Sequence, residues 1–459
     1  MTPLHLHQRI AWIRRQRERD YTARVVSFIA LHIPLVFLLR WDPLFATLHA
    51  LFTLGLGVGF LVRDRLPNRL IYVVAYITGA ELLWRGLGAA VFWEFGKYAT
   101  ILLLGLGLFR FRRLPSASRW PLVYFALLVP SVFLLPAFDR EAIAFNLAGP
   151  FALAVVSMFF ERFRLAPAQL KNVLLAILAP AVGLGVLALQ SVFAANVLSF
   201  GAAYSDKLTS AGIGPNQVSS ILGLGAFAAF LLAVGEDRRP FLRRLMIVLT
   251  LWLLAQSALT FSRGGFWTAI AAMLSAGFFL IRDKRSRNLL MAAGVTLSLL
   301  GYFVAFPALD ELTNQSLSVR FRDFGSTGRF QIVQADLLIF QRYPLFGVGP
   351  HQSKKLHALT FRFSSAHVEY SRMLSEHGSL GLVALLILAA VIAKRFFARL
   401  SPRAKAYVVS FTVWALLYMA HSATRLVAPS LMFGLAAAVF LTEESRVPAT
   451  GHRARRRVG

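Results

Sequence analysis

Apolar residues in this chain run in long blocks separated by short polar links, without the strict alternation of a half-buried strand or the narrow stripe of a surface helix. A helix crossing the hydrocarbon core of a bilayer needs about 20 predominantly apolar residues. Blocks of suitable length fall near 24–40, 43–62, 69–88, 89–109, 120–136, 142–160, 170–190, 215–235, 244–261, 265–281, 288–306, 379–397, 404–421 and 425–442. The expected fold is therefore all-α: a polytopic transmembrane helical bundle of about 12–14 spans, built as a single integral membrane domain over 1–459.

Two links are long, 191–214 and 307–367, and the second has room for a small extramembrane layer. Loops of this length in a compact protein are usually functional or without structure. In FQIVQADLLIFQ at 330–341, Phe330, Val333, Leu337 and Phe340 recur at helical spacing, which predicts an amphipathic helix at the membrane surface. Ser-Thr-Gly at 326–328 is its expected N-cap, Pro344 closes it, and GVGP at 347–350 marks a turn.

Composition sharpens this reading. Of 459 residues, 57% are hydrophobic and 15% charged, against about a quarter charged in soluble domains, which excludes an ordinary soluble protein. The absence of Cys excludes a disulfide framework, a thiolate metal site and a Cys nucleophile. Lys and Arg number 49 against 21 Asp and Glu, a net charge of +28, but the excess sits in alternate links: Arg14, Arg15, Arg17 and Arg19, then Arg63 and Arg65, Arg110, Arg162, Arg238 and Arg239, Arg282, Lys394 and Arg395, and the tail from Arg453. The positive-inside rule accounts for this pattern, so no nucleic-acid partner is expected. It places those links and both termini in the cytoplasm and the intervening links outside. A charged 23-residue head precedes the first block, so that block is expected to stay as an anchor.

The outer links are dense in arginine, with Arg320, Arg322 and Arg329 in SVRFRDFGSTGRF and Arg263 in FSRGG at a short outer turn, and topology does not explain Arg263. Arg329 falls at a predicted helix start, where free N–H groups and the helix dipole favour an anion, and guanidinium adds a permanently charged, bidentate fork. The competing reading pairs these arginines with Asp310, Asp323 or lipid headgroups. His367, in SSAHVEYSRMLSEHGSLGL, is the side chain best suited to take a proton near neutral pH, although a lone His is more often structural. Tyr370 and Ser371, at i+3 and i+4 from it, would share a polar face, with Glu369 and Glu376 on others and Gly378 and Gly381 allowing close packing. The run lacks H-E-x-x-H and H-x-x-E-H spacing, Met373 standing where the latter needs its first His, and there is no Asp-x-Asp pair; neither a metal nor a cofactor is expected. Glu81, Arg85, Glu94 and Lys97 lie inside apolar runs, at spacings that allow i,i+4 and i,i+3 pairing. They also fit a lipid or solute transporter, but such a fold would show paired broken helices in two related halves, and the sequence has no such symmetry.

The order of S-R-G-G at 262–265, G-R at 328–329, P-L-F-G-V-G-P at 344–350 and a His before E-H-G-S-L-G-L at 376–382 resembles the O-antigen ligase and O-antigen polymerase superfamily, with looser similarity at E-F-G-K-Y (94–98) and G-P-N (214–216). The resemblance implies a GT-C-like inner-membrane glycosyltransferase with a periplasmic site and no metal. Such an enzyme takes a glycan from undecaprenyl diphosphate and attaches it, with inversion, to a sugar hydroxyl of lipid A–core or, in a polymerase, of another glycan. It casts Arg263 and Arg329 as holders of the diphosphate, with Arg320 as a further candidate, and His367 as the base. Two departures are visible: the superfamily more usually has about twelve spans, and Val368 stands where Asn is commoner after the His.

Overall fold

The computed structural model describes residues 3–111, 115, 118–194, 207–236, 239–282, 301–322, 329–360 and 368–441, with scattered positions between 287 and 299. Helices α1 (Pro3–Ala30) and α2 (His32–Trp41) lead into α3 (Pro43–Arg63), α4 (Asn68–Gly86), α5 (Phe95–Arg110) and α6 (Trp120–Ala126). The long α7 (Arg140–Glu161), α8 (Pro167–Ala194), α9 (Pro215–Val234), α10 (Pro240–Leu259) and α11 (Arg263–Leu280) follow. Four short helices then form an outer layer: α12 (Phe306–Leu312), α13 (Ser316–Arg322), α14 (Arg329–Arg342) and α15 (Gln352–Thr360). The chain returns through α16 (Glu369–Phe397), α17 (Pro402–Ser422) and α18 (Ala428–Ala437). The fold is the expected all-α polytopic bundle.

Among the described residues, seven helical segments are long and apolar enough to cross a membrane: Gln16–Trp41, α3, α7, α8, α9, α10 and α16. The hub is α9, with 89% of its apolar window buried, packed on α8, α10 and α11; α3 and α16, at 28% and 17%, form the rim. Several predicted spans are modified. The block near 120–136 is α6 followed by a 3-10 turn at Pro130–Leu134, because Pro130 lacks the N–H that would continue the helix. The block near 379–397 starts ten residues earlier, at Glu369, and breaks at Gly378. The last block ends after Ala437, where Val439–Phe440 (β2) pairs in parallel with Arg164–Leu165 (β1).

That short ladder marks one end of the bundle. Arg162 donates from Nη1 to Leu108 O at 3.0 Å there, and Lys171 pairs with Glu236 at 3.0 Å, so the basic links converge on this end. At the other end the C-terminus of α4 meets the link between α17 and α18, α9 meets the start of α11, and α7 meets α16.

Helix α14 forms where the 330–341 spacing predicts it. Its protein-facing side is Ile332, Ala335 and Asp336, while Phe330 and Leu337 point outward. The predicted apolar stripe is thus largely the outward face, as a surface helix requires. The expected N-cap residues 326–328 and Asp323 lie outside the described residues.

Candidate active site

The site is built from the turn between α10 and α11. Ser219 Oγ donates to Ser262 O at 2.7 Å and lies 2.9 Å from Ser257 Oγ, and Ser262 Oγ donates to Asn216 Oδ1 at 2.6 Å. The buried hydroxyls fix the turn, so the G-P-N and S-R-G-G motifs meet across α9 and α11. Gly265 packs against the Ser219 backbone, leaving no space for a Cβ, and a Cβ on Gly264 would lie 2.7 Å from His421 Nδ1. These contacts fix Arg263 as the first residue of α11, beside the free N–H groups of that helix.

The outer layer brings two more arginines to the same turn. Leu317 packs with Ala258 and Phe261, and Phe321 meets Phe266 edge-on at 5.5 Å, which docks α13 on the α10–α11 turn. Arg320 is buried there and donates from Nε to Phe261 O at 3.1 Å. Arg329 opens α14, half-buried. Burial holds its guanidinium below the ordinary value, and the positive fields of Arg263 and Arg320 add to that effect. Three guanidiniums from three elements, two of them at helix N-termini, therefore share one neighbourhood. Such an arrangement is suited to a polyanion such as a diphosphate.

A second feature lies on α16. Arg372 is buried between Glu369 (Nη2 to Oε1, 2.6 Å) and Glu376 (Nη1 to Oε2, 3.1 Å), and Nη1 also donates to Asn146 Oδ1 at 2.8 Å. Glu376 Oε1 accepts from Ser353 Oγ at 2.8 Å and from the His351 N–H at 2.9 Å. Where Gly378 interrupts the helix, Val348 N donates to Ser375 O at 3.0 Å, Gly349 N to Glu376 O at 2.9 Å, and Ser379 N to Pro344 O at 2.7 Å. The P-L-F-G-V-G-P turn is thereby clasped onto the E-H-G-S segment.

Arg263, Arg320 and Arg329 are thus brought together, whereas Arg322 is exposed. His367 lies outside the described residues; α16 begins after it, with Val368 as an extended N-cap. The shared polar face expected for Tyr370 and Ser371 does not form. Tyr370 Oη donates to Leu416 O at 2.8 Å, while Ser371 Oγ donates to Asp336 Oδ2 at 2.6 Å. Glu369 and Glu376 share a face through Arg372, and the E-x-x-R-x-x-x-E spacing is the signal that would have found this link. Glu81 pairs with Arg85 at 2.5 Å, Glu94 lies 3.6 Å from Arg85 and pairs with Lys97, and Glu81 Oε2 also accepts from Val427 N at 2.8 Å.

A model of the family described as O-Antigen ligase matches residues 245–386. Over that stretch the chain is similar to the O-antigen ligase family. The match spans Arg263, Arg320, Arg329, the clasped turn and the whole Glu369–Arg372–Glu376 network. No curated protein matches the chain. The seven apolar helices describe a multi-pass membrane protein, and the likeness over 245–386 supports ligase- or polymerase-type transfer of lipid-linked glycans in general.

Proposed function

We propose that the protein transfers a glycan from undecaprenyl diphosphate to a sugar hydroxyl of lipid A–core, at the periplasmic side of a bacterial inner membrane, without a metal and with inversion. The gathering of Arg263, Arg320 and Arg329 at one end of the bundle carries this reading. As the anomeric C–O bond breaks, negative charge grows on the leaving diphosphate. Preorganised cations at that position stabilise the transition state more than the ground state. The N-termini of α11 and α14 contribute in the same sense.

A sugar hydroxyl is too weakly acidic to ionise first, so its proton leaves as it attacks. His367, one residue before the N-cap of α16, is the base assigned to that step, and general-base catalysis is worth about 10²–10⁴-fold. Attack from the side opposite the diphosphate inverts the anomeric centre.

The test uses the full chain in vesicles, with donor and acceptor supplied on one side. Arg263→Ala and Arg329→Ala should each lower transfer by about 10²-fold or more at unchanged membrane insertion, and His367→Ala should abolish it. Wild-type rates in both arginine variants would sink the reading. Movement of the lipid across the bilayer without a covalent product would assign the protein to transport instead.

A further inference from the structure

We propose that Asp336 is a positioning residue that holds α14, and with it Arg329, in register on α16; the proposal rests on the diphosphate role of Arg329. Asp336 is fully buried where α14, α15 and α16 meet. Its Oδ2 accepts from Ser371 Oγ at 2.6 Å, its Oδ1 accepts from Ser375 Oγ at 2.8 Å, and His357 Nε2 lies 3.1 Å from Oδ1. Ser371 and Ser375 are one turn apart on α16, so both hydroxyls reach the carboxylate only in one translation and rotation of α14. Any other register leaves a buried carboxylate without its donors, which is strongly unfavourable. Apolar packing is non-directional and imposes no such condition.

The clasp also fixes direction. Asp336 meets Ser371 and Ser375, and eight residues later Pro344 O accepts from Ser379 N at 2.7 Å. Both chains advance the same way from the first contact to the second, so α14 and α16 run in parallel. Arg329, two turns before Asp336 and about 10 Å along the axis at 1.5 Å per residue, is therefore carried toward the head of α16 at Val368. A displacement of about 1 Å at a charge-stabilising group is enough to cost about 10²-fold in rate.

The experiment is a double-mutant cycle in the reconstituted full chain, read both as transfer kinetics and as binding of undecaprenyl diphosphate, which needs no turnover. Asp336→Ala should lower kcat/KM by about 10- to 100-fold in protein that remains monodisperse, with Asp336→Asn, which keeps one acceptor oxygen, in between. In an Arg329→Lys background the Asp336→Ala effect should largely vanish, because the group it positions is already impaired. Independent, multiplying effects would overturn the positioning role while leaving the diphosphate reading intact. Unchanged donor binding and transfer in both Arg329→Lys and Arg329→Ala would remove the diphosphate reading and this proposal together. Should Asp336→Ala fail to fold, Asp336→Asn carries the same cycle.

Discussion

Arg372 shows what a buried charge does here when it is not part of the proposed chemistry. It holds two carboxylates and an asparagine 226 positions away in sequence, and through Glu376 it reaches the backbone of His351. Breaking a buried ion pair from one side leaves charge without compensation, so Arg372→Met should lower stability by about 3–5 kcal/mol. Thermal unfolding in detergent measures this, and a shift no larger than that of an exposed Arg17→Met control would show the network to be dispensable. His351 offers a second test. Burial, then Lys354 and Lys355, hold its imidazole below the ordinary value; Arg372 acts in the same direction and Asp139 opposes them. The folded state thus takes up this proton less readily than the unfolded one. Its contribution is complete above about pH 6.5 and is lost as pH falls below that. His351→Gln should flatten the pH dependence of the unfolding midpoint between pH 7 and 5; an unchanged slope would rule His351 out as a source. Arg263 was legible in the sequence because it breaks the charge rule that orders the other short links, and Arg329 because it falls at a predicted helix start. Arg372 and Asp336 were not, since a charge on a helix reads as solvated until its partners on other elements are known.

At the scale of elements, the clasp between residues 344–350 and the break in α16 joins the outer layer to the bundle. Gly378 has φ +62°, and a Cβ there would stand 2.6 Å from the Leu345 carbonyl carbon; Gly347, at φ +68°, would meet the Glu376 carbonyl oxygen at 2.6 Å. A left-handed conformation costs a non-glycine residue about 1–3 kcal/mol, and the overlap adds to it. Gly378→Ala should therefore lower the unfolding midpoint and speed protease cleavage within 344–350, and cleavage at the wild-type rate would show the turn to be held by other contacts. The helical period of 330–341 and the turn at 347–350 could both be read from sequence. That the turn is the partner of the E-H-G-S segment could not, because backbone pairing between irregular segments leaves no periodic trace. The break in α16 and the 3-10 turn after α6 were missed as interruptions for a related reason: apolar composition reports burial in lipid or protein and not the continuity of the backbone hydrogen bonds.

On the scale of the whole molecule, the alternating basic links resolve into two chemically distinct ends. One gathers Arg162, Lys171 and Arg239; the other gathers the arginine cluster, the Glu369–Arg372–Glu376 network and the Glu81–Arg85–Glu94–Lys97 network. The segment between α17 and α18 ties the last two together, since Thr424 Oγ1 donates to Glu369 Oε1 at 3.2 Å, Arg425 O accepts from Arg85 Nη1 at 3.0 Å and Val427 N donates to Glu81. Buried ions away from water are expensive unless paired, so their concentration at one end argues that this end is organised for polar work while the other is anchored by its basic residues. The positive-inside rule then predicts which end faces out. Because the chain contains no Cys, it is already a clean background for single-cysteine labelling. Arg65→Cys and Lys354→Cys replace exposed side chains at opposite ends. In intact spheroplasts an impermeant thiol reagent should modify Lys354→Cys alone, with Arg65→Cys reacting only after the membrane is opened. Labelling of both from the same side would break the two-ended arrangement, whereas the reverse pattern would keep the bundle but turn the arginine cluster toward the cytoplasm, where a periplasmic acceptor has no access to it.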